Sequence, residues 1–281
     1  MPTPSELLKK YSIRPRRRLG QSFLIDANVI AKIVRIAGIR SDDTVVEIGA
    51  GIGVMTALLA ARAARLVAIE LDPDLVRVLD EELRNFENIE IVGEDVLKYD
   101  FRRALSGLPR ERTARLKVVG NIPYNISTEV LFRLIDHRAV VSAAVLMFQK
   151  EVADRITAPP GTKQYGILSV LAGMFMLPTR EMAVPRSCFF PVPEVDSVVI
   201  RLEVRNEPLI ALEDERVFFQ VVRTAFSRRR KTLYNNLKTL PVSVPGLELL
   251  LERIGIDPGR RGETLTVEEF GKLANAVTLA R

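Results

Sequence analysis

The chain has 281 residues, 47% apolar and 27% charged, with one cysteine (Cys188) and one histidine (His137). That length suits one large domain or two unequal ones with a sizeable core. The composition rules out an internal disulfide, argues against His-based triads and His/Cys metal clusters, and offers no apolar run of the roughly 18 residues a membrane span needs. The net charge of +6 is unevenly spread: residues 1–20 carry +5 and residues 216–240 carry +7, leaving the other 236 at −6. Two basic islands on an acidic body suit a polyanionic partner, although solvated surface has the same signature. The polar start, Met1–Lys10, lacks a signal-peptide core. With the single cysteine it points to a reducing, cytoplasmic setting.

In chain order, Asp26 is placed to cap a helix over 27–37, whose Val29, Ile30, Ile33 and Ala37 share a face before a stop at Gly38. Thr44–Ile48 reads as a buried strand running into Gly49-Ala50-Gly51-Ile52-Gly53, with an alanine-rich helix to about Ala64. Leu66–Ile69 is a second strand ending at Glu70, and Asp72-Pro73 opens a helix with an N-cap and a proline at its first position. Ile89–Val92 is a third strand, followed by Gly93-Glu94-Asp95, and Leu116–Val119 a fourth, followed by Gly120-Asn121-Ile122-Pro123-Tyr124. A helix from about Ser127 leads to a fifth strand, Ala143–Phe148. Strands alternating with helices mean right-handed crossovers and a mostly parallel sheet covered on both faces. A helix over about 166–176 and strands over 179–184 and 195–204 follow. Beyond the linker-like Asn206-Glu207-Pro208 the pattern turns helical, with Phe218, Phe219, Val222, Ala225 and Phe226 on one face and further helices over 247–254 and 267–277.

Ligands of open parallel sheets bind at the carboxyl ends of the strands. Here those ends carry Gly49-Gly51-Gly53, Glu70, Asp95 and Asn121. The glycines permit a tight turn and close backbone approach. Glu70, 21 residues after Gly49, is where an acidic side chain accepts the hydroxyls of an adenosine ribose. The turn alone leaves three readings open: a dinucleotide site, an adenosyl-methionine site, or a plain strand-to-helix turn. The dinucleotide form wants a third glycine where Val54 stands, which disfavours an NAD-dependent oxidoreductase. The E-I-G-A-G-I-G form resembles the first motif of class I S-adenosylmethionine-dependent methyltransferases, a resemblance that casts Asp95 as acceptor for the adenine amino group.

Asn121-Ile122-Pro123-Tyr124 resembles the N/D-P-P-Y/F motif of adenine amino-group methyltransferases. The exocyclic amine of adenine is a poor nucleophile because its lone pair is delocalised into the ring. The Asn121 side-chain carbonyl and the Ile122 backbone carbonyl can accept its two N–H bonds and aim the nitrogen for in-line displacement. Tyr124 can stack on a base that has left its helix. The nitrogen sheds a proton after attack, so no strong general base or metal is required.

Leu19-Gly20-Gln21-Ser22-Phe23-Leu24-Ile25-Asp26, the glycine turn, Gly120 to Thr128, Phe189 to Ser197 (F-F-P-V-P-E-V-D-S) and Phe226 to Leu233 (F-S-R-R-R-K-T-L) match one pattern in order. The chain resembles the small-subunit rRNA adenine N6,N6-dimethyltransferases of the KsgA/RsmA family. The resemblance implies a Rossmann-like class I methyltransferase domain with a mostly parallel seven-stranded sheet over 1–205, its basic segment and cofactor loop lying in 1–25. A small α-helical RNA-binding domain follows over 206–281. It implies S-adenosyl-L-methionine as cofactor, held by Gln21, Ser22, Leu24, Gly49, Gly51, Glu70, Asp95, Val96 and Asn121. Ser22 departs from the family's usual Asn or His and reaches less far. Asn121, Pro123 and Tyr124 become the catalytic set. Phe189 becomes a second stacking wall for the target base, against the alternative of a core phenylalanine. Arg16, Arg17, Arg18, Arg228, Arg229, Arg230 and Lys231 become RNA contacts, the latter four on a helix-like stretch. The implied partner is small-subunit rRNA within an immature ribosomal subunit, the implied state a monomer. Alternatives are an Erm-type enzyme of large-subunit rRNA, which shares N-I-P-Y but not Phe226 to Leu237, and an assembly or nucleic-acid-binding factor with secondary catalysis. Cys188 and His137 read as structural.

Overall fold

The computed structural model describes residues 3–107, 115–240 and 244–280, with Arg17, Val244 and Pro245 described by their backbone only. The elements in chain order are α1 (Pro4–Lys10), β1 (Phe23–Leu24), α2 (Ala27–Ala37), β2 (Thr44–Ile48), α3 (Val54–Ala60), β3 (Arg65–Ile69), α4 (Pro73–Glu82), β4 (Ile89–Val92), β5 (Leu116–Asn121), α5 (Ser127–Asp136), β6 (Val141–Gln149), α6 (Lys150–Ile156), α7 (Ile167–Phe175), β7 (Met176–Val184), β8 (Phe189–Phe190), β9 (Ser197–Val204), α8 (Glu215–Ala225), α9 (Leu233–Leu237), α10 (Val244–Arg253) and α11 (Val267–Leu279). Seven strands form one sheet in the order β4-β3-β2-β5-β6-β9-β7. The pairs β4/β3, β3/β2, β2/β5 and β5/β6 are parallel and β9 runs antiparallel to β6. All five residues of β2 are buried, the signature of a parallel strand covered on both faces. The chain runs outward from β2 through β3 to β4, then returns to place β5 on the other side of β2. That reversal opens a crevice at the strands' carboxyl ends.

The helices obey their local signals. Asp26 caps α2 by accepting from Asn28 N and Val29 N at 2.9 and 3.1 Å, and Gly38 ends it in the left-handed region at φ +56°. The helix after the glycine turn stops at Ala60 rather than near Ala64, because the distant Asn88 amide donates to the carbonyls of Ala60 and Ala63, both at 2.9 Å. The two-residue strands β1 and β8 pair antiparallel, Phe23 opposite Phe190 and Leu24 opposite Phe189.

The chain divides into two compact units, Met1–Ala153 with Thr179–Val204 and Asp154–Pro178 with Arg205–Arg281. Residues 154–178, expected in the first domain, thus join the second unit. The reason is α7: Phe175 packs edge-on to Phe218 and stacks on Phe219, each at 5.9 Å, and Gly173 leaves room for Val267 of α11, which a Cβ there would meet at 2.9 Å. Such aromatic pairs add about 0.5–1.5 kcal/mol each beyond the area they bury. The basic run Arg228–Lys231, expected to be helix-like, is instead the turn between α8 and α9. Buried Asn236 fixes it by donating to the carbonyls of Ala225 (2.8 Å) and Arg228 (3.2 Å).

Candidate active site

A cavity of about 300 Å³ opens at the crevice. Gly49 and Gly51 form its floor at φ +71° and +59°, values that favour glycine over any side chain. Gly120 is required for a different reason: a Cβ there would sit 2.6 Å from the Ile48 carbonyl, so only glycine lets β5 approach β2 and bring Asn121 to the mouth.

Glu70 follows β3 and is almost fully buried. Its two oxygens accept from Gly51 N and Asp72 N, each at 2.9 Å, and each keeps a lone pair for a ligand hydroxyl. Burial pushes its carboxyl above the ordinary range, against the pull of those two N–H groups. Asp95 accepts from Leu97 N through Oδ1 at 2.9 Å. The Asn121 amide donates to the Ser22 carbonyl at 3.0 Å. That bond fixes the side chain and assigns its Oδ1 the acceptor role toward the cavity. Tyr124, at the start of the turn into α5, bonds Ser197 Oγ through its hydroxyl at 3.2 Å.

The segment before β1 is strapped to the rim by Asp72. That carboxylate caps α4, takes Arg16 Nη1 at 2.7 Å on Oδ1 and Gln21 Nε2 at 2.9 Å on Oδ2, while Arg16 Nη2 pairs with Asp74. Leu7 and Leu8 of α1 pack with Phe23, Ile52 and Leu75.

The structure brings Gln21, Ser22, Gly49, Gly51, Glu70, Asp95, Val96, Asn121, Pro123 and Tyr124 together around this cavity. Two expected residues are not there. Leu24 turns into the main core, and Phe189 is buried with it at 1% exposure, leaving no ring face for a base. Their neighbours take the opposite faces: Phe23 lines the cavity, and Phe190 is 48% exposed. Sequence reasoning also missed Leu71, Glu94 and Leu97 in the lining; Glu94 is recognisable only by its place beside Asp95. Ser22 Oγ is spent on the Pro191 carbonyl at 2.9 Å. Of the RNA-contact candidates, Arg16 is ion-paired as above, Arg17's side chain lies outside the described residues, and Arg18 is exposed. Arg228, Arg229, Arg230 and Lys231 are all exposed, Arg229 also facing Glu263 at 3.4 Å.

Beneath the glycine turn lies Glu47 of β2, fully buried. Neither of its oxygens, nor the neighbouring Thr56 Oγ1, has a hydrogen-bond partner among the described residues. Burial pushes its carboxyl up to about 8, with the Glu70 charge adding to the effect. Among the described residues no cluster of three or more His, Cys, Asp or Glu could hold a metal, and no helix is long and apolar enough to cross a membrane.

The family described as Ribosomal RNA adenine dimethylase matches residues 13–279. The chain is 45% identical over 276 residues to the Ribosomal RNA small subunit methyltransferase A of Syntrophus aciditrophicus, covering 97% of this chain and 98% of that protein. It is 48% identical over 267 residues to the protein of the same name from Geobacter metallireducens, covering 94% and 96%. Among solved structures it is similar to a dimethyladenosine transferase from Plasmodium falciparum, with a TM-score of 0.76 at 29% identity over 88% of this chain and 94% of that one. Its likeness to the 23S rRNA methyltransferase ErmE has a TM-score of 0.67 at 28% identity, over 91% and 99%.

Proposed function

Because the chain belongs to the ribosomal RNA adenine dimethylase family, we propose that it dimethylates N6 of two adjacent adenosines near the 3′ end of small-subunit rRNA, held in an immature ribosomal subunit. Its activity is that of an S-adenosylmethionine-dependent rRNA adenine dimethyltransferase, and the small-subunit reading is favoured over the Erm-type one. The observation that carries the proposal is the fixed Asn121 amide beside Glu70 and Asp95 in one cavity.

The residues present fit the cofactor. Two positive-φ glycines keep the floor bare of side chains, and a buried carboxylate is already oriented by two N–H groups. Gly49, Gly51, Glu70, Asp95, Val96 and Asn121 would hold it, with Glu70 taking ribose hydroxyls and Asp95 the adenine amine, while Gln21 and Ser22, their side chains already bonded within the protein, line the same cavity. When bound, S-adenosyl-L-methionine supplies a methyl group on a sulfonium, open to displacement by a nucleophile. Asn121 Oδ1 and the Ile122 carbonyl accept the N–H bonds of the target amine and orient its lone pair. Tyr124 offers a ring for the flipped base, held in place by its bond to Ser197. Residues 206–281 serve as the RNA-binding domain, with the exposed Arg228–Lys231 turn contacting phosphates and Arg18 adding a contact from the N-terminal side. The protein acts as a monomer, and its single cysteine, which has no internal disulfide partner, suits a reducing, cytoplasmic setting.

Labelled methyl transfer onto small subunits lacking the modification, with large-subunit RNA and DNA as controls, tests the reading. Two N6,N6-dimethylated adjacent adenosines in the small subunit are expected. Transfer to large-subunit RNA alone would overturn it, and sedimentation as a dimer would overturn the monomer assignment.

A further inference from the structure

Three of the seven exposed large hydrophobic residues among those described fall within six positions: Phe190 at 48%, Val192 at 60% and Val195 at 42%. None of the three lines the cavity. The loop that carries them is nonetheless tied to the catalytic residues at both ends. At its start, Phe190 pairs with Phe23 and the Pro191 carbonyl accepts from Ser22 Oγ at 2.9 Å, while the Ser22 carbonyl holds Asn121 at 3.0 Å. At its end, Ser197 bonds the Tyr124 hydroxyl at 3.2 Å. A further bond, Arg186 N to Asp196 Oδ1 at 2.9 Å, fixes the base of the loop. The loop therefore runs along the outer rim of the mouth, from the anchor of Asn121 to Tyr124, and holds apolar groups toward water there.

A clustered apolar patch of this kind marks a contact surface. Its continuity with the mouth selects the occupant. An adenosine cannot reach Asn121 without unstacking from the nucleotide beside it, so that neighbour leaves one π face bare at the rim. Protein aromatic rings take such faces in single-stranded RNA recognition. We propose that the Phe190–Val195 rim docks the unpaired nucleobase adjacent to the target, with Phe190 stacked on it and Val192 and Val195 flanking. This rests on the reading that rRNA adenosine is the substrate. If two adjacent adenosines are processed, the docked base is the next one to be modified.

The test uses the full chain and small subunits whose rRNA carries 2-aminopurine, a base whose fluorescence is quenched on stacking, either at the target or at one of its neighbours. Wild type should quench the probe at one neighbouring position, and Phe190→Ala should abolish that quenching while Phe190→Trp restores it. Phe190→Ala should raise KM for the subunit roughly 5- to 150-fold, the worth of one stacked base. It should leave kcat, cofactor affinity and the target-position signal unchanged. An unaltered neighbour signal overturns the proposal, as does a change confined to the target-position probe. Because 2-aminopurine lacks the 6-amino group that would accept the methyl, wild-type methyl transfer onto probe-free subunits tests the underlying reading separately.

Discussion

The buried Glu47 should make the stability of this fold fall as pH rises. Its folded-state carboxyl titrates at about 8 against an ordinary 4.5, so between those values the native state binds one proton that the unfolded state has released. Stability then declines with pH, by about 1.4 kcal/mol per unit. The contribution is whole below pH 4.5, and about 5 kcal/mol is gone once pH passes 8. Between pH 5.5 and 7.5 the loss is about 3 kcal/mol, or roughly 5–10 °C in Tm for a domain of this size. Glu47→Gln keeps the shape and removes the ionisation. Its amide adds buried N–H donors, which costs about 1–3 kcal/mol at any pH, so the discriminating quantity is the slope and not the height. Melting curves of wild type and variant across pH 5–8.5 should diverge in slope and cross or converge toward alkaline pH. Glu70, also held high by burial, is present in both, so the difference in slope reports Glu47 together with its coupling to Glu70. Parallel profiles would refute the reasoning and mean that Glu47 stays hydrated when folded.

Asn121→Ala should lower methyl transfer about 100- to 1000-fold with a much smaller loss in cofactor affinity by calorimetry; equal losses in both would mean that the amide serves binding alone. Phe189→Ala should cost about 3–5 kcal/mol in urea unfolding, whereas Phe190→Ala should stay within about 0.5 kcal/mol; reversed costs would contradict the assigned faces of β8. Replacing Arg228, Arg230 and Lys231 together with Ala should lower the slope of log affinity against log salt by about 2 to 3. An unchanged slope removes this turn from the RNA interface.

The sheet and its ligand edge were legible because parallel strands are continuous apolar runs, and glycines, carboxylates and an asparagine stand where those runs end. What the sequence could not convey came from distant partners. The end of α3 depends on Asn88, some 28 residues downstream, and the shape of the basic turn depends on Asn236 reaching back across it. The two misplaced site residues, Leu24 and Phe189, share one cause. They face each other across β1 and β8, as do Phe23 and Phe190. Side chains on a strand alternate between faces, so the pairing register decides which of two adjacent apolar residues enters the core. In Phe23-Leu24 and Phe189-Phe190 both candidates are apolar, and no local pattern distinguishes them.

Asp72 bears on how this sequence can vary. Its carboxylate serves the α4 cap, Arg16 and Gln21, while its own N–H orients Glu70. An exchange there is never one perturbation: it frays a helix, releases the strap and leaves two donors without their acceptor. Residues 16, 21 and 72, brought together from distant parts of the chain, therefore form one coupled group, in which the effect of an exchange at any member depends on the other two.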